Sequence, residues 1–141
     1  MKKIIALILL ASSLLAFFMC SQSMPSQKKI VALFRANEEI FLGAVESGDY
    51  SAVEALPGVQ EVYVGERYVK ILCDGAGMGS STHYYGIFYH PDVALFSSEN
   101  TGVVTWFVQD GNGYLYQEEG GDNRFYVEPL GSGFYYYEAH Y

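Results

Sequence analysis

From residue 60 to residue 141, short runs of β-branched and aromatic residues alternate with turn signals, and this pattern constrains the fold more than any other feature of the chain. Glycine, asparagine and aspartate separate many of the runs, as in Asp110-Gly-Asn-Gly113. The regular spacing predicts an antiparallel meander of six or seven strands. The predicted strands are 60–65, 67–74, 83–90, 102–109, 114–118, 124–128 and 134–140.

Ahead of the strands, residues 26–47 have the three- and four-residue periodicity of an amphipathic helix, with Ser26 as its N-cap. A short helix is predicted over 51–56, where Ser51 and Glu54 have the spacing of a capping box. The apolar face of the long helix must be buried, most simply against the sheet. We therefore expect an α+β domain with these helices packed on a curved antiparallel sheet, cystatin-like or NTF2-like by analogy. A small β-barrel is the alternative.

The N-terminus has the pattern of an export signal. Lys2 and Lys3 precede the uncharged run Ile4 to Met19, which is shorter than the roughly 20 apolar residues that cross a bilayer. We predict residues 1–23 as a signal peptide and 24–141 as a single α+β domain that is exported.

The predicted signal peptide could be processed in two ways, or it could remain uncleaved as a membrane anchor. Cys20 follows the apolar run and resembles the lipidated cysteine of bacterial lipoprotein signals, although Met19 stands where that family has a small residue. Cleavage after Ser21-Gln-Ser23 would instead release a soluble chain. The protein is therefore expected to be a cell-surface lipoprotein or a secreted protein.

The charge of the exported part limits its partners. Without residues 1–23, six basic residues face sixteen acidic ones, a net charge of −10. Such a surface repels phosphate backbones, which argues against nucleic acid as a partner. No basic cluster favours an anionic membrane, so membrane contact is expected only through the signal or a lipid anchor. Cys20 and Cys73 are the only cysteines, so no disulfide framework is expected and stability must come from an apolar core.

Residues 75–79 form a glycine-rich stretch that invites comparison with phosphate-binding loops. Such loops need a helix N-terminus directly after the glycines, whereas a strand is predicted here. We interpret the stretch as a flexible connection between two strands. No nucleotide or other cofactor is expected.

Cys73 and His83 flank this stretch and are the candidate catalytic residues, with Asp74 or Asp92 as a possible third member. A thiolate needs a neighbouring base to act as a nucleophile, and a histidine is the usual base. A single cysteine at an inward strand position is more often a small core residue. The sequence therefore favours a protein that is not an enzyme.

A metal site would require histidines to converge. His83 and His90 lie about 23 Å apart on one strand and on opposite faces, so they cannot share an ion. His140 could join either histidine only through a strand pairing that periodicity does not reveal. We predict no metal site.

The chain is rich in aromatic residues, with thirteen tyrosines, nine phenylalanines and one tryptophan. The last strand carries rings on both faces, so one row is expected to be exposed, and exposed aromatic rows mark ligand or partner sites. Sugar stacking is one such use, while the alternative is that the tyrosines fill the core. The candidate ligand-binding residues are Tyr85, Tyr89, Trp106, Tyr135, Tyr136 and Tyr137.

Three segments carry a resemblance: Tyr84-Tyr-Gly-Ile-Phe-Tyr-His-Pro-Asp92, Gly121-Asp-Asn-Arg-Phe-Tyr126 and Phe134-Tyr-Tyr-Tyr-Glu-Ala-His140. Together they resemble small, uncharacterised exported proteins, possible lipoproteins, of anaerobic Gram-positive bacteria. The likeness covers about residues 67–141, and Ile87 and His90 depart from the run typical of that group. It implies export and a strand-rich C-terminal part, and it implies no activity.

The leading hypothesis is an exported or surface-tethered, non-enzymatic domain that binds an unknown protein or glycan through an aromatic sheet face. A small hydrolase or thiol enzyme centred on Cys73 and His83 is one alternative. An inhibitor or immunity-type protein is another, because such proteins are often small and acidic.

Overall fold

The computed structural model describes residues 27–78, 81–92 and 107–141, which form three helices and seven strands. The helices are α1 (Gln27–Ala36), α2 (Glu38–Ser47) and α3 (Ser51–Glu54). The strands are β1 (Glu61–Val64), β2 (Val69–Met78), β3 (Ser81–Tyr89), β4 (Val108–Asp110), β5 (Gly113–Gln117), β6 (Arg124–Gly131) and β7 (Phe134–His140). Residues 1–23 with Cys20, the N-cap Ser26, the connection 93–100, and residues 102–106 with Trp106 lie outside the described residues. None of the helices in the described ranges is long and apolar enough to cross a membrane.

The long helix predicted over 26–47 is two helices, so that prediction is wrong. The chain leaves the helical conformation at Asn37, where φ is −129° and ψ is 21°. The Asn37 side-chain amide donates to the carbonyl oxygen of Leu33 at 2.8 Å, while its backbone N–H donates to Phe34 at 3.1 Å. Asparagine breaks helices in this way because its side chain competes for the backbone hydrogen bonds.

The short helix also begins differently from the prediction. Its N-cap is Tyr50, and the Ser51 backbone N–H donates to the Asp49 carboxylate at 3.0 Å, so the predicted Ser51–Glu54 capping box is wrong. This hydrogen bond lowers the pKa of Asp49 because it stabilises the ionised carboxylate.

All seven strands belong to one open antiparallel sheet with the order β1-β2-β3-β7-β6-β5-β4. The prediction of a single meander is therefore wrong. The sheet consists of two meanders, β1 to β3 and β4 to β7, which join along the β3–β7 pair. The barrel alternative is also wrong, because β1 and β4 remain the two edges of the described sheet. The C-terminal strand β7 occupies the centre, which explains why it is apolar on both faces.

The glycine-rich stretch is largely strand, so its interpretation as a flexible connection is wrong. Strand β2 continues through Gly75 and Gly77 to Met78 and pairs with β3 along this whole length, with one register shift between Leu72 and Asp74. The glycines serve close packing, since a Cβ on Gly75 would lie 2.9 Å from the ring of Tyr84.

The sheet has two apolar faces. The helix face carries the main core, in which Phe134 of β7 packs on Phe34 and Phe41 with ring centroids 5.0 and 5.9 Å apart. We name the opposite face the open face, because no residue of α1, α2 or α3 belongs to its buried cluster. That cluster consists of Val127, Tyr135, Tyr137 and Ala139, with Tyr84, Phe88, Phe107, Tyr114 and Phe125 packed against it.

Candidate ligand-binding face

Three of the predicted ligand-binding tyrosines lie on the helix face. Tyr85 and Tyr89 of β3 pack against the main core, and Tyr136 of β7 is fully buried in it. The Tyr136 hydroxyl donates to Glu138 at 2.8 Å. Burial, together with this hydrogen bond and the charge of Glu138, raises the pKa of Tyr136. These rings are part of the folded core and are separated from the open face by the sheet.

Two more predicted residues lie on the open face but are not exposed. Tyr135 is 2% exposed and Tyr137 is 0% exposed, so the prediction of one exposed row on the last strand is wrong. The ring of Tyr137 stacks on Phe125 of β6 at 6.0 Å and covers Gly86 of β3. Neighbouring side chains cover both tyrosines because β7 is central, and they form the floor of the face.

A cavity of about 570 Å³ opens beside this floor, at the end of the face formed by β5, β6 and β7. Phe107 packs edge-on against Phe125 at 6.1 Å and lies 5.9 Å from Tyr116. Reciprocal backbone hydrogen bonds with Thr82, of 2.8 and 2.9 Å, hold Tyr141 in place. We name this the aromatic cavity, and its lining is Phe107, Tyr116, Asn123, Arg124, Phe125 and Tyr141.

A second hollow, of about 310 Å³, lies on the same face toward β1 and β2. The Lys70 ammonium group lies 5.7 Å from the ring centroid of Tyr84 and 5.6 Å from that of Tyr137. We name this the lysine hollow, and its lining is Glu61, Tyr63, Tyr68, Lys70, Leu72 and Tyr84.

A third hollow, of about 580 Å³, lies where α1 meets α2 and contains no aromatic ring among its lining residues. Its polar side chains include the exposed ion pair of Arg35 and Glu38, whose N and O atoms are 3.5 Å apart. Exposed pairs of this kind contribute little free energy. The open face is the stronger candidate, because ligand sites usually combine apolar rings with a few polar groups.

His83 and His140 are brought together, a contact that the sequence left undecided. They are direct partners in the β3–β7 register, and their Nδ1 atoms are 2.6 Å apart. Burial, followed by the charge of His83, lowers the pKa of His140, which Glu138 partly opposes. Within residues 27–78, 81–92 and 107–141, no group of three or more His, Cys, Asp or Glu side chains could hold a metal ion.

Cys73 lies in the main core and is 4% exposed. Burial, with a smaller contribution from the charge of Asp74, raises the pKa of its thiol to about 12. His83 pairs with Ala76, three residues further along β2, and its ring hydrogen-bonds with His140. The structure therefore does not place His83 as a base for the Cys73 thiol.

Sequence reasoning predicted none of the residues that line the two open-face hollows. Tyr116 and Phe125 are partners in the β5–β6 register, and backbone hydrogen bonds with Thr82 hold Tyr141 beyond the end of β7; only these pairings place the three rings together. Nothing in the sequence around Lys70 distinguishes it from an ordinary surface lysine. The available signal was the period-two alternation within each strand, which assigns a side chain to a face but not to a neighbour.

No match to the chain was found among protein-family models, curated proteins or solved structures.

Proposed function

We propose that this protein is an exported, non-enzymatic binding domain that takes a saccharide on its open face. The observation that carries the proposal is the aromatic cavity, where Phe107, Tyr116, Phe125 and Tyr141 surround a space of about 570 Å³. This volume lies in the range of small-molecule sites, roughly 300 to 1,000 Å³.

The chemistry of the lining favours a sugar over a purely apolar ligand. Aromatic rings offer flat apolar surfaces to the C–H faces of a pyranose, and tyrosine adds a hydroxyl at the wet edge. Asn123 supplies a side-chain amide, with hydrogen-bond donors and an acceptor, at the same cavity. The export pattern of residues 1–23 is consistent with an extracellular glycan as the target.

The alternative functions receive less support. The buried Cys73, with its raised pKa, gives no support to a thiol enzyme. The inhibitor or immunity-type hypothesis stays a prediction, because acidity and small size do not distinguish it from other exported domains.

A glycan array probed with the full chain, followed by calorimetry on the positive sugars, tests the proposal. Tyr141→Ala removes an exposed ring of the cavity and should weaken binding about tenfold, as expected when an aromatic anchor worth roughly 1.4 kcal/mol is truncated. Tyr141→Phe keeps the ring and should retain most of the affinity. Val108→Ala, an exposed residue outside the lining, is the control.

Absence of binding to every sugar on the array would reject a saccharide ligand. Binding that Tyr141→Ala leaves unchanged would place the sugar elsewhere on the molecule.

A further inference from the structure

The aromatic cavity and the lysine hollow adjoin each other on the open face. Tyr84 lines the lysine hollow and Tyr141 lines the aromatic cavity, and their ring centroids are only 6.3 Å apart. The buried Tyr137 lies under both, since its ring stacks on Phe125 and lies near the Lys70 ammonium group. A single elongated ligand could therefore contact both hollows.

Lys70 is the cation that lines the lysine hollow, whereas the Arg124 side chain lies opposite His140 in the β6–β7 register and so belongs to the helix face. Neither side chain forms an ion pair with a carboxylate of the described residues. Of the six lysine and arginine residues in the described ranges, only Arg35 forms an ion pair with a carboxylate. The other basic residues among those described are Lys28, Lys29 and Arg35 on α1 and Arg67 before β2.

Lys70 is held in a specific place rather than extended freely into water. Its ammonium group lies near the rings of Tyr84 and Tyr137, within the distance at which a ring quadrupole attracts a cation. Tyr63 and Tyr68, whose centroids are 5.8 Å apart, form another part of the hollow. A cation fixed among apolar rings can form a charge-assisted hydrogen bond with an anion at little further cost in side-chain entropy.

We propose that the open face selects acidic saccharides, with Lys70 binding a sugar carboxylate in the lysine hollow while the rings contact the faces of the sugar units. This inference rests on the proposed function and adds the charge of the ligand. Glu61, in the same hollow, accepts hydrogen bonds from sugar hydroxyls. The acidity of the remaining molecule opposes densely charged polyphosphates, whereas a single sugar carboxylate meets the Lys70 ammonium group at short range.

The test compares tetragalacturonate with its fully methyl-esterified form, which keeps the sugar rings and removes the charges. Calorimetry on the full chain at low salt should show that the acid binds at least about tenfold more tightly than the ester. This difference is expected when a hydrogen bond to a charged group is lost. Added salt should reduce this preference.

Two matched variants locate the effect. Lys70→Gln should lower the affinity for the acid to that for the ester, and Lys70→Arg should keep most of the preference. Arg67→Gln makes the same change in net charge at a neighbouring exposed residue that lines neither hollow, and should change the affinity less than twofold.

Equal binding of the acid and the ester would overturn the inference and leave the saccharide proposal intact. Equal effects of Lys70→Gln and Arg67→Gln would also overturn it, because the preference would then come from net charge. If neither tetragalacturonate nor its ester bound, the inference that the face selects acidic saccharides would be overturned. The proposed function itself would be rejected only if no sugar on the glycan array bound either.

Discussion

At the scale of single residues, close packing in the sheet depends on glycines in strand β3 and strand β2. Gly86 of β3 stands opposite Tyr137 of β7 in the register, and the Tyr137 ring covers it. On the other side a Cβ at position 86 would meet the carbonyl oxygen of Ile71. The glycine therefore permits both the β2–β3 hydrogen bonds and the position of the ring that forms the floor of the open face.

Gly86→Ala is expected to lower the free energy of unfolding by about 2 kcal/mol or more, because the added methyl group overpacks a central strand. Denaturant titration measures the loss. Gly43→Ala is the matched control: this exposed residue lies inside α2 with open space around it, so the same methyl group should stabilise the helix by about 1 kcal/mol. Similar effects of both substitutions would contradict the packing argument.

At the scale of elements, the β3–β7 pair joins the two meanders and brings His83 and His140 into contact. One Nδ1 atom must donate and the other accept, so the hydrogen bond requires at least one neutral ring. The surroundings are mixed: Glu138 and Tyr85 face His140 from β7 and β3, and Arg124 faces it from β6.

The lowered pKa of His140 predicts a pH dependence of stability. The folded protein binds this proton less readily than the unfolded chain, so the contribution to stability is full above pH 6.5, the ordinary histidine value, and is lost as the pH falls through the folded pKa. The melting temperature should be lower at pH 5.5 than at pH 7.5.

The decrease should be smaller in His140→Gln, which carries no titrating ring at that position. His90→Gln is the control, since His90 lies after β3 and contacts Asp92 instead of the histidine pair. An undiminished decrease in His140→Gln would assign the pH dependence to other groups.

At the scale of the whole molecule, the helices and the sheet share one main core. Residues from all three helices and from strands β2, β3, β6 and β7 contribute to it, and Cys73 lies among them. Because Cys73 is 4% exposed and its thiol pKa is raised to about 12, a thiol reagent should reach it only when the core opens.

We therefore expect Cys73 to stay unreactive toward a disulfide reagent in the folded protein and to react fully in guanidinium chloride. The midpoint of thiol exposure should match the midpoint of unfolding followed by circular dichroism. The Cys73→Ala variant, whose only cysteine is Cys20, measures how much of the thiol signal comes from Cys20. Rapid labelling of Cys73 without denaturant would indicate local opening of β2 and would revive the thiol-enzyme hypothesis.

The sequence predicted the α+β class, the antiparallel sheet, and most of the strands that fall within the described residues. It also placed Cys73 at an inward position, since alternation along a strand follows from which face is buried. It failed at Asn37 and Ser51, where one side-chain hydrogen bond decides how a helix ends or begins. It also failed at the exposure of Tyr135 and Tyr137, because exposure depends on neighbours that are distant in the chain.

The sequence by itself determined that helices precede the sheet, that strand residues alternate between two faces, and that the chain is acidic, because these depend on local periodicity and composition. Only the tertiary structure decided that β7 lies between β3 and β6, which buries its tyrosines and makes His83 and His140 neighbours. The same pairing brings rings from β1, β3, β5 and β6 together on the open face, where Lys70 also lies. The physical reason is that strand pairing depends on contacts between residues up to 57 positions apart, which no local pattern specifies.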